Sequence, residues 1–160
     1  MVRFFSLLAV AAMLLMVGCQ QQRFINKWPV YKGYKKAPYT VKGQRYVPMS
    51  VEDALNYRAE GIASHYEANG HIGAIGQRLY RGQLYAAHRT LPLPCVVRIT
   101  CPRTGKSCIA RVADRGPYIP GRLIDVSTQI AKDLGFYVRG LDTVRVEVLS
   151  VGDGPYRRTR

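Results

Sequence analysis

The sequence predicts a mainly β domain of modest size, on the strength of three observations. Residues 96–101 and 108–112 alternate apolar and polar side chains with the period of a strand, and residues 102–107 between them are rich in turn formers. A third run, 143–149, alternates in the same way and places its three valines on one face. The 160 residues are enough for a single domain with one core.

The chain begins with the features of an export signal. Arg3 precedes an apolar run from Phe4 to Val17 that is too short to span a membrane. The run ends in Leu15-Met-Val-Gly-Cys19, which resembles the lipobox at which bacterial lipoproteins are acylated and cut. Residues 1–18 are therefore predicted to be a lipoprotein signal peptide, and the acylated cysteine is predicted to tether the mature chain to a membrane. An ordinary cleaved signal peptide with an incidental cysteine is the alternative.

Two segments precede the domain. Residues 19–38 are polar, basic and aromatic without periodicity, which predicts a linker. In the lead-in segment 39–60, Ser50 and Asp53 have the spacing of a capping box. A short helix is therefore predicted to begin there and to end before Gly61.

The domain itself is predicted to span residues 61–150. Its first strand ends at Tyr66, and a glycine-rich loop, 69–77, follows it. Ser127 has the position of an N-cap for a second short helix, which Gly135 ends. The alternating run at 143–149 is then the last strand.

The charge of the chain is strongly positive. Lys and Arg number 24 against 10 Asp and Glu, and removal of the signal arginine leaves a formal charge of +13. Residues 151–160 form a polar, basic tail. Such a balance often indicates nucleic acid, but an exported protein meets none, so acidic envelope polymers or lipid head groups are the available anions. The alternative is that the charge serves solubility.

Three motifs give the chain a family resemblance. Residues 86–92 read AAHRTLP, residues 112–117 read VADRGP, and residues 121–127 read GRLIDVS. Together they closely resemble the rare lipoprotein A family, over about residues 38–149. The resemblance implies a six-stranded double-psi β-barrel with one or two short helices, related in fold to expansins and barwins, with a hairpin-like lead-in. It also implies lytic transglycosylase action on peptidoglycan glycan strands, and no cofactor is expected.

The resemblance places the catalytic chemistry on two acidic positions. In a lytic transglycosylase the C6 hydroxyl of muramic acid attacks the anomeric carbon, so one group can act first as an acid and then as a base. The family's acidic pair is a Glu eleven residues before His88 and the Asp of the Asp-Arg-Gly-Pro turn. Asp114 keeps the second position and is predicted to be catalytic, whereas Gln77 stands at the first and cannot transfer a proton. The loop also has Gly73 where a Thr is usual and Tyr80 where an Asp is usual.

Other residues of the motifs are candidates for substrate binding. His88, Arg115 and Gln77 are predicted to contact the glycan, and His88 alternatively orients Asp114 or is a structural histidine. Arg115 either stabilises the carboxylate beside it, binds a substrate carboxylate or forms a surface salt bridge. Asp125 is predicted to be a structural carboxylate at a turn or helix start, with a second site carboxylate as the alternative.

The four cysteines divide into one lipid site and three others. With Cys19 acylated, Cys101 and Cys108 flank the hairpin turn and are predicted to form a disulfide, which would stabilise the fold by about 2–3 kcal/mol. Cys95 is then a buried or a reactive thiol. A zinc site built from these three and His88 lacks a C-x-x-C pair, so no metal is predicted.

These features predict a lipid-anchored, periplasm-facing protein that cleaves naked glycan strands in cell wall remodelling and septation. Gln20 is not an Asp retention signal, which favours the outer membrane. Because the Glu is replaced by Gln77, a non-catalytic glycan-binding or septal scaffold module is the alternative. An expansin-like wall-loosening protein without bond cleavage is a third. Division-septum proteins are expected as further partners.

The lipobox generates the first prediction. Labelled palmitate fed to cells should enter the wild-type protein and not Cys19→Ser, because only the cysteine thiol can carry the diacylglycerol. Gel fluorography of the two immunoprecipitated proteins measures this, and label in both would contradict acylation at Cys19.

Overall fold

Strands dominate residues 28–160, the part of the chain that the computed structural model describes. The elements are, in chain order, β1 (Tyr39–Val41), β2 (Gln44–Tyr46), α1 (Val51–Leu55), β3 (Arg58–Tyr66), β4 (His71–Ile72), β5 (Arg78–Leu79), β6 (Tyr85–Ala87), β7 (Cys95–Cys101), β8 (Lys106–Asp114), β9 (Arg122–Ser127), α2 (Thr128–Leu134), β10 (Leu141–Val151), a 3-10 helix (Gly154–Tyr156) and β11 (Arg158–Thr159).

Six of the strands close into a barrel in the order β10, β3, β9, β6, β8, β7, and β7 pairs again with β10. The pairs β3 with β9 and β6 with β8 are parallel, and the remaining pairs are antiparallel. Closure leaves no open edge in the six-stranded ring. The predicted fold class, a mainly β double-psi barrel with two short helices, is confirmed.

The hairpin of β7 and β8 follows the alternation of the sequence. Val97, Ile99 and Cys101 are completely buried in the barrel, while Arg98 between them is exposed. The last strand behaves in the same way, because the valines of β10 face the core and the residues between them do not. Both predicted strands are confirmed, and their inward faces form the core.

The two predicted helices are present with the predicted caps. Ser50 Oγ accepts a hydrogen bond from the Asp53 N–H at 3.0 Å and begins α1. Ser127 caps α2, and Gly135 ends it in the left-handed conformation at φ 80°. The expected end of the first helix was wrong: α1 stops at Leu55, because the chain is already extended from Arg58 onward.

Two other boundaries also differ from the prediction. The first barrel strand begins at Arg58 rather than Gly61, because residues 58–60 pair with 145–147 of β10. The last strand continues to Val151 rather than ending at Leu149, because Ser150 and Val151 pair with Val96 and Cys95 of β7. Both extensions depend on partners far away in the sequence, which local periodicity does not reveal.

The predicted disulfide is wrong, and the register of the hairpin explains why. Cys101 lies opposite Lys106, and Cys108 lies opposite Ile99. The two cysteines are therefore diagonal neighbours, whose Cα atoms are about 7–8 Å apart, beyond the usual reach of a disulfide. Cys95, Cys101 and Cys108 are all free and buried. Burial raises the pKa of Cys95 and of Cys108 to about 12, so neither is a reactive thiolate near neutral pH.

The predicted signal peptide, Cys19 and the first part of the linker lie outside the described residues. Within residues 28–160, no helix has the length and apolar character needed to cross a membrane.

The second prediction concerns these thiols. In the folded protein a soluble maleimide should label none of Cys95, Cys101 and Cys108 at neutral pH, because all three are buried. After unfolding without reductant all three should react, and mass spectrometry of the labelled peptides counts them. If Cys101 and Cys108 stayed unlabelled after unfolding, the result would indicate a disulfide between them.

Candidate active site

Asp114 ends strand β8, where its carboxylate is only 13% exposed. Its Oδ1 accepts hydrogen bonds from two backbone N–H groups, that of Arg115 at 2.8 Å and that of Ala74 at 3.0 Å. Two donors occupy the two lone pairs of this oxygen. Proton exchange with a ligand is therefore left to Oδ2.

Two side chains approach Asp114 Oδ2. The Tyr66 hydroxyl donates to it at 3.4 Å, and the His71 Nε2 lies 3.5 Å away. Burial, together with the negative charge of Asp114, raises the pKa of Tyr66, so its phenol stays protonated and donates to the carboxylate. The His71 side chain is 57% exposed. It therefore connects the carboxylate with solvent.

Within the glycine-rich loop, His71 lies on β4, which pairs with β5 in a short two-stranded sheet. His71 pairs with Leu79 and Ile72 with Arg78, and Leu79 is fully buried in the core. A Cβ added to Gly73 would lie 3.0 Å from the Ala113 carbonyl oxygen, closer than side chains normally approach. The loop thus rests directly against the end of β8, beside Asp114.

Gln77 faces the interior rather than the carboxylate. Its Oε1 accepts from the Arg111 guanidinium, and its Nε2 donates to the Pro29 carbonyl at 2.7 Å. Arg111 is completely buried, forms an ion pair with Asp153 and lies 5.0 Å from the centre of the Trp28 ring. Both polar atoms of its amide are bonded within the protein, and the predicted contact of Gln77 with substrate stays a prediction.

His88 is also turned inward, with only 3% of its surface exposed. Its Nδ1 accepts from the Thr90 and Leu91 N–H groups at 3.2 and 3.1 Å, and its Nε2 lies 3.1 Å from the Tyr57 hydroxyl. Burial and the positive charges of Arg89 and Arg115 lower the pKa of His88 to about 3. A buried, neutral imidazole with all its ring nitrogens engaged holds a loop together and does not bind a glycan, which corrects the predicted role.

Arg115 fixes the loop of residues 88–91, which also contains His88. Its guanidinium donates to three loop carbonyls, at 3.2 Å for His88, 3.3 Å for Arg89 and 2.6 Å for Leu91. It also donates to the Lys35 carbonyl at 3.0 Å. Four backbone carbonyls therefore hold the two terminal nitrogens of the guanidinium, and the predicted contact with substrate stays a prediction.

Asp125 lies two strands away from Asp114. Ala87 of β6 is opposite Asp114 on one side and opposite Asp125 on the other, so the three side chains share one face of the sheet. The Ser64 hydroxyl donates to Asp125, and Arg122 donates to that hydroxyl at 3.1 Å. Asp125 is thus bonded across strands rather than at a turn, and its structural role stays a prediction.

An aromatic wall continues from the turn after Asp114. Tyr118 is 39% exposed, and its ring centre lies 5.5 Å from that of Tyr46. Tyr46 in turn stacks on Tyr39 across the hairpin of β1 and β2, at 5.3 Å. The wall reaches from the barrel onto the hairpin, which is fixed to the barrel by the Tyr39 hydroxyl bond to the Arg89 carbonyl at 2.8 Å.

Sequence reasoning missed Tyr66, His71 and this aromatic wall. Tyr66 ends a predicted strand, and His71 lies in the glycine-rich loop that was interpreted only as a turn. A titratable residue in a loop of that kind was the available signal, but its contact with Asp114 spans 43 positions and is not visible in the spacing.

A surface cavity lies elsewhere, away from Asp114. It measures about 490 Å³ and lies at the start of β3, between exposed pairs such as Arg58 with Glu147 and Arg145 with Glu60. Exposed pairs of this kind contribute little to stability, and the cavity is at the opposite end of β3 from Tyr66. Within residues 28–160, no three His, Cys, Asp or Glu side chains are grouped so as to hold a metal ion.

A closed six-stranded barrel with two parallel pairs, and with a carboxylate held at the end of one parallel strand, defines a double-psi β-barrel domain. Comparison with protein families agrees: residues 58–148 match the family described as lytic transglycolase. Since this match covers more than half of the chain, the chain belongs to that family. The resemblance to the rare lipoprotein A family is confirmed.

Two named relatives illustrate the similarity. The chain is 39% identical over 137 residues to the endolytic peptidoglycan transglycosylase RlpA of Pasteurella multocida, covering 84% of this chain and 45% of that protein. It is 46% identical over 119 residues to the protein of the same name from Pseudomonas aeruginosa strain UCBPP-PA14, covering 71% of this chain and 33% of that protein. The chain spans less than half the length of these relatives.

One solved structure shares the fold. An expansin variant from Clavibacter michiganensis, determined in complex with cellohexaose, superposes with a TM-score of 0.50 at 17% identity. The superposition covers 62% of this chain and 54% of that chain.

The buried His88 generates the third prediction. The pKa of its imidazole is about 6.5 in the unfolded chain and is lowered to about 3 in the folded protein. The unfolded state therefore binds more protons between these values, and this contribution to stability falls as the pH falls from about 6.5 toward 3. His88→Asn, whose Oδ1 can accept the same two N–H bonds, should be less stable at neutral pH and lose less stability on acidification.

Urea unfolding of both proteins at several pH values between about 7 and 4 measures the difference. His65→Asn is the matched control, because it removes another imidazole and leaves His88 in place. A His88→Asn curve parallel to the wild-type curve would show that His88 is not the titrating group.

Proposed function

We propose that this protein is a lytic transglycosylase that cleaves naked glycan strands of peptidoglycan, with Asp114 as the catalytic carboxylate. The observation that carries the proposal is the position of Asp114: a strand end, with one carboxylate oxygen fixed by backbone N–H groups and the other beside the Tyr66 hydroxyl and the largely exposed His71 ring. Support also comes from family membership and from relatives named as endolytic peptidoglycan transglycosylases.

The chemistry requires one proton to be given and one to be taken. As the bond between C1 of muramic acid and the glucosamine O4 breaks, O4 needs a proton, and the C6 hydroxyl that attacks C1 must lose one. No water is consumed, so the two transfers balance and the product is a 1,6-anhydro ring. Asp114 Oδ2 is suited to this exchange, because Oδ1 is held by N–H donors and fixes the orientation of the carboxylate.

Binding of a glycan is supported by the aromatic wall. Exposed tyrosine rings offer flat apolar faces with a polar tip, which suit the apolar faces and hydroxyl rims of pyranose rings. Tyr118 provides such a ring next to the turn that follows Asp114, and the half-buried Tyr46 ring packs beside it. The excess of Lys and Arg over Asp and Glu also favours an acidic polymer as partner.

The same proposal includes a lipid anchor at Cys19, which tethers the domain in the periplasm, on the outer membrane. The lipobox and Gln20 support it. A tethered enzyme reaches only the wall within the length of its linker, which suits local remodelling at the septum with division proteins as partners.

A non-catalytic glycan-binding module is the second candidate, and Gln77 favours it. An amide stands where the family has a Glu, and its polar atoms are bonded to Arg111 and Pro29. A protein that keeps the groove and the aromatic wall without proton transfer would bind glycan strands and leave them intact.

The fourth prediction separates the two candidates. Purified protein incubated with sacculi stripped of stem peptides should release 1,6-anhydro products, and Asp114→Asn should release about 10²–10⁴-fold less, because a positioned proton-transfer group contributes that much. Mass spectrometry of the soluble products measures cleavage, and co-sedimentation with the same sacculi measures binding, which Asp114→Asn should retain.

Asp133→Asn is the matched control, since Asp133 is an exposed helical carboxylate bonded only to Gln129 at 2.9 Å among the described residues. Wild-type protein that binds the sacculi without releasing anhydro products would favour the binding module. Equal release by wild type and Asp114→Asn would remove Asp114 from the reaction.

A further inference from the structure

Position 77, where the family has a Glu, is Gln in this chain. Gln77 cannot give or take a proton, and it does not contact Asp114. A single carboxylate is then required to serve both the leaving oxygen and the attacking hydroxyl. A second proton-transfer group beside Asp114 would divide this work.

His71 is the one histidine whose side chain lies beside the Asp114 carboxylate. The chain has three histidines. His88 is buried with its ring nitrogens engaged, and the His65 ring packs on Tyr137 with its Nε2 3.2 Å from a carbonyl oxygen. His71 instead has its Nε2 3.5 Å from Asp114 Oδ2 and most of its side chain exposed.

Tyr66, the other neighbour of Asp114 Oδ2, cannot act as this second proton-transfer group. Burial and the charge of Asp114 raise the pKa of Tyr66, so its phenol does not release a proton near neutral pH. An imidazole, in contrast, is the side chain best suited to gain and lose protons there.

The placement of His71 is built into this loop. The ladder of β4 and β5 fixes its backbone, and the buried Leu79 opposite it ties the ladder to the core. Gly73 allows the loop to approach the Ala113 carbonyl so closely that a Cβ would lie 3.0 Å from it. A Cβ at this position would be tighter against β8 than most real Cβ contacts, so Gly73 favours the close approach of the loop that carries His71.

We propose that His71 is a catalytic residue that supplies the second proton-transfer group missing at Gln77; this rests on the transglycosylase function proposed above. The His71 imidazolium gives its proton to the glucosamine O4 as the C1–O4 bond breaks. The C6 hydroxyl oxygen forms the new bond to C1, and its proton passes to Asp114 Oδ2. Transfer of that proton from Oδ2 to the neutral imidazole restores both groups, so no proton is gained or lost in the cycle.

The test uses the full mature protein and sacculi stripped of stem peptides. His71→Gln should lower the release of 1,6-anhydro products about 10²–10⁴-fold with binding to sacculi retained. His65→Gln is the matched control and should cleave at the wild-type rate. Thermal unfolding of each variant checks the fold, which should be little affected because the His71 side chain is largely exposed.

Chemical rescue separates a catalytic role from a structural one. Added imidazole should restore part of the activity of His71→Ala and none of the activity of Asp114→Asn, because free imidazole can occupy the space that the side chain leaves. A wild-type rate for His71→Gln, or a slow His71→Ala that imidazole does not rescue, would overturn the role of His71 while the transglycosylase function stands. A wild-type protein that releases no anhydro product would overturn both.

Discussion

Strand β10 holds the structure together, because it pairs with β3 along one edge and with β7 along the other. Eleven residues long, it closes the barrel and buries Val144, Val146 and Val148 in the core. Without this closure the sheet would have two open edges and the ends of its strands would be free to move. With it, the ends of β3 and β8 have fixed positions, and the Tyr66 hydroxyl can meet the Asp114 carboxylate at 3.4 Å across 48 positions of sequence.

The barrel alone does not complete the site; the segments outside it do. The loop of β4 and β5 contributes the Ala74 N–H and the His71 ring to Asp114. The hairpin of β1 and β2 contributes tyrosines, and Arg115 fastens the loop at 88–91 to the Lys35 carbonyl. A catalytic group gains from such support because its orientation is fixed before the substrate binds. The barrel therefore provides the scaffold, and the segments packed on it provide many of the groups around Asp114.

Local chemistry made much of the fold predictable. The alternation of β7, β8 and β10 and the caps at Ser50 and Ser127 are properties of neighbouring residues, and the structure agrees with them. The failures involve strand pairing and register, which local patterns do not specify. The first strand begins early because it pairs with β10, and Cys101 and Cys108 are diagonal because the register places Lys106 opposite Cys101. Likewise, motif spacing located His88 and Arg115 but gave no information on whether their side chains face the groove or the loop backbone.

The replacement at Gln77 follows from what its neighbours require. Arg111 needs an acceptor and the Pro29 carbonyl needs a donor, and an amide provides both from one side chain. A glutamate would still pair with Arg111 but would bring a carboxylate oxygen against the Pro29 carbonyl, with no hydrogen between them. The amide therefore joins the glycine-rich loop to the buried Arg111 and Asp153 pair and to the Pro29 carbonyl next to Trp28. In this chain the Gln77 side chain is bonded within the protein, and under the proposed function the proton chemistry falls to Asp114 and to the side chains that touch its Oδ2.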